Sequence, residues 1–173
     1  TDQIAALTTA QTSVLTTAQT AALNSAQVAA LESTDLANLS SAQVAVFNTS
    51  QAAAIETGDI GALSTNAVRA LSSAAVGALS TDQIENLSSN QIGALTSAQT
   101  AALNTAQAAA IQTSDISAMG TAAVRALTTA AIAALGTDQV AAMSTAQTSA
   151  LSSSQAQALT SNQVAALEST DLA

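Results

Sequence analysis

The side chains able to do chemistry in this sequence are hydroxyls, carboxylates and two arginines, Arg69 and Arg125. The chain has no His, Cys or Lys, so a Ser or Thr nucleophile would lack the neighbouring base from which the usual triads and dyads are built. Its many hydroxyls are more simply explained as helix caps and turn residues. We therefore expect that the chain is not an enzyme and has no catalytic residue.

Three pairs of carboxylates recur with a spacing of three residues: Glu32 with Asp35, Glu56 with Asp59, and Glu168 with Asp171. Such pairs could act as acid and base, or supply oxygen ligands to Ca²⁺. A simpler interpretation places Glu at a helix N-cap and Asp three residues later, where the helix dipole and the free N–H groups favour negative charge. We favour this interpretation, because the sequence has no DxDxDG-type loop, and keep the six residues as candidates for a calcium site.

The composition excludes several classes of partner. The formal net charge is −9 with two cations in the whole chain, so a nucleic-acid partner is not expected. No run of about eighteen apolar residues occurs, and we expect no membrane insertion. The six glycines form no phosphate-binding loop, and without Trp or Tyr there is no stacking platform for an aromatic or carbohydrate ligand. We expect no cofactor.

The residues follow an eight-residue repeat without a break in frame, as in TTAQTSVL at 8–15, NSAQVAAL at 24–31 and TSNQVAAL at 160–167. We number the positions of this octad 1 to 8 from its first residue, so that residue 8 is at position 1 and residue 15 at position 8. Position 8 is always large and apolar, position 5 is usually Val, Ile, Leu, Thr or Ala, and position 4 is mostly Gln. Position 2 is Ser or Thr in all 22 occurrences, whereas positions 3 and 6 vary. The pattern predicts a core at positions 5 and 8 and solvent-facing side chains at positions 3 and 6.

An octad does not fit one long helix, because eight residues at 100° each shift the apolar stripe by roughly 80° per repeat. It does not fit a strand either, because positions 5 and 8 would point to opposite faces. Short helices remain, each with Ser, Thr or Asn at position 1 as N-cap and Gln at position 4 completing a capping box. The alternative N-cap is the invariant Ser or Thr at position 2.

One octad cannot fold alone, because burying its two apolar side chains contributes roughly 3 to 6 kcal/mol against an ordering cost of about 12 kcal/mol. We therefore predict an all-α solenoid, a superhelical array of short helices of one to two turns, built from about 22 tandem octapeptide repeats as a single array over residues 1–173. Three or four octads in each solenoid turn would give the apolar positions an interior to face.

A longer repeat of seven octads relates residues 48–103 to residues 104–159. It has two explanations, a duplication or a whole number of solenoid turns. Arg69 and Arg125 are equivalent in it, and a surface ion pair or a contact between chains explains them as well as a site does. Because the sequence begins and ends in mid-pattern, we expect it to be an excerpt of a longer chain.

Segments such as LSTDQIENLSSNQIGALTSAQTAAL at 79–103 resemble the LTxxQIxAL-type octad arrays of very large bacterial surface or secreted proteins, commonly labelled as adhesins or haem-utilisation proteins. The resemblance implies an extracellular or cell-surface location and a role as a spacer. It does not extend to haem, because the chain has no His, Cys or Tyr to supply an axial ligand.

We therefore expect a structural segment of an extracellular fibre or giant adhesin, acting as a spacer or as a filament-forming scaffold. Its partners would be other copies of itself, or a continuation of the same array in a longer chain. The alternative is a regular Thr/Ala surface that binds ice or another repetitive surface.

Overall fold

The computed structural model describes residues 2–171, and the side chains of residues 3–167. Within this range the chain contains twenty α-helices and one 3-10 helix, and no strand. The helices α1 to α20 are, in order, Asp2–Ala5, Thr9–Ser13, Thr17–Ala21, Ser25–Val28, Ser33–Asn38, Ser41–Val44, Thr49–Ala53, Thr65–Ala70, Ser73–Gly77, Thr81–Glu85, Ser89–Ala94, Ser97–Ala101, Thr105–Ala110, Thr113–Ile116, Thr121–Ala126, Thr129–Ala134, Thr137–Ala141, Thr145–Ser149, Ser153–Ala158 and Ser161–Asp171. The 3-10 helix Ile60–Ala62 lies between α7 and α8. The predicted all-α class is therefore confirmed.

Each helix begins where the octad pattern predicts. In α3 the Thr16 side chain accepts a hydrogen bond from the backbone N–H of Gln19, and the Thr16 N–H donates to Oε1 of Gln19 at 2.8 Å. The N-cap is thus position 1, and the invariant Ser or Thr of position 2 is the first helical residue. Four α-helices lack a side-chain bond at the N-cap, at Glu32, Gln112, Gly120 and Gly136.

The helices end without a residue in the left-handed region, because no described residue has a positive φ. In α8 the N–H of Leu71 donates to the carbonyl of Val68 at 3.2 Å, which closes the last turn in the tighter 3-10 manner. Leu71 and the following N-cap Ser72 are both extended, with ψ angles of 141° and 153°. Two extended residues therefore join one helix to the next.

The helix α20 is longer than predicted. Its eleven residues exceed the one to two turns expected, because the chain stays helical across the octad boundary at Leu167 where other octads become extended. The other α-helices have four to six residues.

The core is formed by positions 5 and 8, as predicted. Val76 and Ile132 at position 5 are fully buried, and Leu79 and Leu135 at position 8 are nearly so. Where position 5 is Thr, its hydroxyl can bond within its own helix, as in Thr100, whose Oγ1 donates to the carbonyl of Thr96 at 3.0 Å. The described side chains at positions 3 and 6 are exposed or half-buried, which confirms the prediction that they face solvent.

Packing between helices follows one rule along the chain. The principal contacts join each helical element to the third element after it, as α12 with α15, α13 with α16 and α17 with α20. The rule includes the 3-10 helix, which packs on α5. Contacts are therefore local in sequence, and each helix buries its apolar side against helices three octads away.

Candidate functional site

The most distinctive polar groups in the interior are the glutamines at position 4. Gln99, which is 1% exposed, accepts a hydrogen bond from the N–H of Thr96, the N-cap of its own helix, at 2.8 Å. Its Nε2 donates to the carbonyls of Val68 and Leu71, at 2.8 Å each, which lie at the end of α8. One amide therefore serves the N-terminus of one helix and the C-terminus of another.

The same arrangement recurs along the chain. In each case Nε2 reaches carbonyls 28 and 31 residues earlier, and the shorter of these two spans has bond lengths between 2.6 and 2.9 Å. The ten glutamines with this bond are Gln43, Gln51, Gln83, Gln91, Gln99, Gln107, Gln139, Gln147, Gln155 and Gln163. They satisfy the carbonyls that a helix C-terminus leaves without a partner.

The sequence indicates the first half of this role and not the second. The capping box requires an acceptor, which Glu supplies as well as Gln. Donation to a carbonyl requires an amide, because an ionised carboxylate has no hydrogen to give. The absence of Glu from position 4 throughout the chain is the signal that a donor is needed there.

Two adjacent octads in each long repeat lack the glutamine. Ala67 and Ala75 take its place in the first copy, and Ala123 and Ala131 in the second. The cap survives in three of these octads, as in α9, where the backbone N–H of Ala75 donates to Oγ of Ser72 at 3.0 Å. These octads keep their apolar packing and donate no bond to an earlier helix through position 4.

The structure places the Glu32 and Asp35 pair as predicted, at the N-cap and first turn of α5. Asp35 is 3% exposed, and its Oδ1 accepts a hydrogen bond from the hydroxyl of Thr12 at 3.0 Å. Glu32 is exposed and makes no side-chain bond to the helix. Asp115, at the equivalent place in α14, accepts from the hydroxyls of Ser89 and Ser114.

The Glu56 and Asp59 pair does not follow the prediction. Residues 57–59 form a turn, and Asp59 is the N-cap of the 3-10 helix, so no α-helix begins after Glu56. Gly58 lies in this first turn, where glycine is unfavourable for an α-helix. The side chains of Glu168 and Asp171 lie outside the described ones. Among the described residues, no group of three or more His, Cys, Asp or Glu side chains is placed to hold a metal ion.

The surface carries a regular set of hydroxyls. From Thr9 to Ser161, the Ser and Thr side chains at position 2 are exposed or half-buried. Two of them donate to a helix three octads later, Ser25 to the carbonyl of Ser50 and Ser97 to that of Ala122, both at 3.3 Å. The N-cap next to position 2 varies among six residue types, so capping does not explain why position 2 is constant.

Two kinds of shallow groove lie between helices. Glu85, Gln112 and Asp138 line one of about 410 Å³, whose lining includes two carboxylates and no cation. Arg69, exposed in the last turn of α8, lies beside another of about 530 Å³ whose remaining lining is uncharged. Arg125 has the equivalent place in α15.

In the part of the chain that the structure describes, no helix is both long enough and apolar enough to cross a membrane. A family model described as the ALTTAQ repeat matches at four places, residues 1–33, 28–55, 52–89 and 108–145, which together cover more than half of the chain. No curated protein matches it, and no solved structure does. The repeat array predicted from the octads is confirmed by these matches, and the chain belongs to the ALTTAQ repeat family.

Proposed function

We propose that the chain is a structural segment of an extracellular bacterial fibre or giant adhesin, acting as a spacer or as a filament-forming scaffold. The observation that carries the proposal is the bond from the position-4 glutamine to carbonyls 28 and 31 residues earlier, which is the same from Gln43 to Gln163. A unit that joins its predecessor by a constant bond can be repeated without limit.

The contacts support a solenoid. Each helix packs on the third element after it, while each bridging glutamine reaches back four octads. Octads that neighbour both the third and the fourth octad along the chain wind with about 3.5 octads, or about 28 residues, in each turn. Seven octads then make two whole turns, which gives the long repeat a structural meaning beside duplication.

The surface supports a passive role. The grooves beside Arg69 hold no carboxylate, and the Glu85 and Asp138 groove holds no cation, so neither contains a paired acid and base. With no His, Cys or Lys in the chain, we propose that it has no catalytic activity. An extracellular or cell-surface setting is part of the same proposal and rests on the resemblance to octad arrays of surface proteins.

The test compares the 173-residue chain with a variant in which residues 104–159 are present twice. Turns of packed helices stack at about 10 Å, so two additional turns would lengthen a rod by about 20 Å at constant cross-section. Small-angle scattering measures both quantities, and electron microscopy over a concentration series, with and without Ca²⁺, separates discrete rods from filaments. A compact particle whose cross-section grows with the insertion would overturn the proposal.

A second candidate function is favoured by the hydroxyls of position 2. They are constant in type, exposed and regularly spaced, as a surface that binds ice or another repetitive solid requires. The test measures thermal hysteresis and ice recrystallisation for the wild-type chain and for variants with Lys at several position-2 sites. Variants with Lys at the exposed position 3 of the same octads are the control, and equal behaviour of both sets would reject this function.

A further inference from the structure

The exposed arginines and two exposed aspartates lie on opposite sides of the proposed solenoid. Arg69 precedes Asp82 by 13 residues, and Arg125 precedes Asp138 by the same number. Half of a turn of about 28 residues is about 14 residues. All four side chains are exposed, so each cation points to solvent on the side away from the matching carboxylate.

The two sides have the same spacing along the solenoid axis. Arg69 and Arg125 are 56 residues apart, as are Asp82 and Asp138, which corresponds to two turns. A row of positive charges on one side is therefore matched by a row of negative charges on the other.

The long repeat retains these charges while others change. Glu56 and Glu85 of the first copy become Gln112 and Ala141 in the second. By contrast, both copies keep the arginine at position 6 and the aspartate at position 3. Relaxed surface positions would not be expected to keep one set of exposed charges and lose the other.

Each side also lacks a partner of opposite charge in its own chain. The grooves beside Arg69 are otherwise lined by uncharged residues. The groove of about 410 Å³ on the other side is lined by Glu85 and Asp138 with no cation. A guanidinium entering this groove from outside would meet two carboxylates.

We propose that the arginine side of one copy docks on the acidic side of a second copy, so that Arg69 and Arg125 pair with Asp82 and Asp138 of its neighbour. The inference deepens the proposed scaffold function and rests on its solenoid geometry. The contact joins two different surfaces, so each bound copy leaves its other side free and association continues laterally. Exposed ion pairs are individually weak, and their matched spacing lets them act together along a long array.

The experiment is a charge exchange followed by sedimentation velocity at about 10 mM and about 300 mM salt. Wild-type chains associate at low salt and separate at high salt. Arg69→Glu with Arg125→Glu gives a chain acidic on both sides, and Asp82→Arg with Asp138→Arg gives a chain basic on both sides. Each double variant alone loses association by at least about tenfold in dissociation constant, and an equimolar mixture of the two regains it.

The control separates the specific contact from net charge. Ala45→Glu with Ala101→Glu, at two exposed position-6 residues, adds the same charge as Arg69→Gln with Arg125→Gln and leaves both rows intact. We expect the alanine variant to associate and the arginine variant not to. A wild-type chain that stays monomeric at low salt, or a mixture that does not associate, would overturn the inference. Scattering from the same samples keeps the two proposals apart, because rods that do not associate refute the lateral contact alone.

Discussion

Replacing a single bridging glutamine tests whether its bonds hold neighbouring turns together. In Gln99→Ala the N–H of Thr96 and the carbonyls of Val68 and Leu71 lose partners that lie 2.8 Å away. Three lost bonds contribute about 0.5 to 1.5 kcal/mol each, and the vacated site is 1% exposed, so water replaces them poorly. We expect the free energy of unfolding to fall by about 3 kcal/mol.

The assay is urea unfolding followed by far-UV circular dichroism, with Gln157→Ala as the control. Gln157 is at the exposed position 6, and we expect its replacement to change the free energy of unfolding by less than about 0.5 kcal/mol. Equal unfolding midpoints for the two variants would refute the reasoning, because the buried amide would then contribute no more than an exposed one.

Gln99→Glu adds a dependence on pH that the alanine variant lacks. The carboxylate can accept from Thr96 but faces the carbonyls of Val68 and Leu71, so burial and these two acceptors raise the pKa of the introduced carboxyl above its usual value of about 4.3. The folded chain then binds the proton more tightly than the unfolded chain does. Relative to Gln157→Glu, the variant is therefore expected to gain stability as the pH falls from 7 to 4. A constant difference over this range would contradict the expectation.

Three further predictions use the same unfolding assay. Gly93→Ala places a Cβ 2.7 Å from the carbonyl oxygen of Ala118 and is expected to cost about 1 to 3 kcal/mol, whereas Gly58→Ala meets nothing within 4 Å and is expected to be neutral or slightly stabilising. Gly136→Ser supplies the missing cap hydroxyl of α17 and should raise the free energy of unfolding by a few tenths of a kcal/mol, with no gain expected from Gly136→Ala. Ile84→Ala, at a position 1% exposed, should lower it by about 2 to 5 kcal/mol, and a loss below 1 kcal/mol would argue against a shared core there.

The parts of the fold that depend on nearby residues could be predicted from the sequence. The N-cap at Thr16 and the burial of Val76 and Leu79 follow from the spacing within one octad, because capping and amphipathic burial act over three or four residues. The Glu56 and Asp59 pair shows the limit of this reasoning. The residue between them that alters the helix start, Gly58, is at a variable position to which the octad pattern assigns no role.

The outward half of the glutamine amide could not be predicted in this way. The partners of Gln99 lie 28 and 31 residues earlier, and finding them requires the number of octads in a turn. The sequence left three and four as options, since either gives the apolar positions an interior. The contacts use both, with packing to the third octad and glutamine bonds to the fourth.

The 31-residue reach of the glutamine bonds also determines how such an array would respond to a pulling force. In the proposed solenoid, tension on one end loads the bonds between the last turn and the turn before it. Releasing that turn yields about 28 residues, or roughly 95 Å of extended chain, in place of about 10 Å of axial length. A tether of this kind would lengthen in small equal steps rather than break at one load, and each released turn could re-form on its neighbour without help from any distant part of the chain.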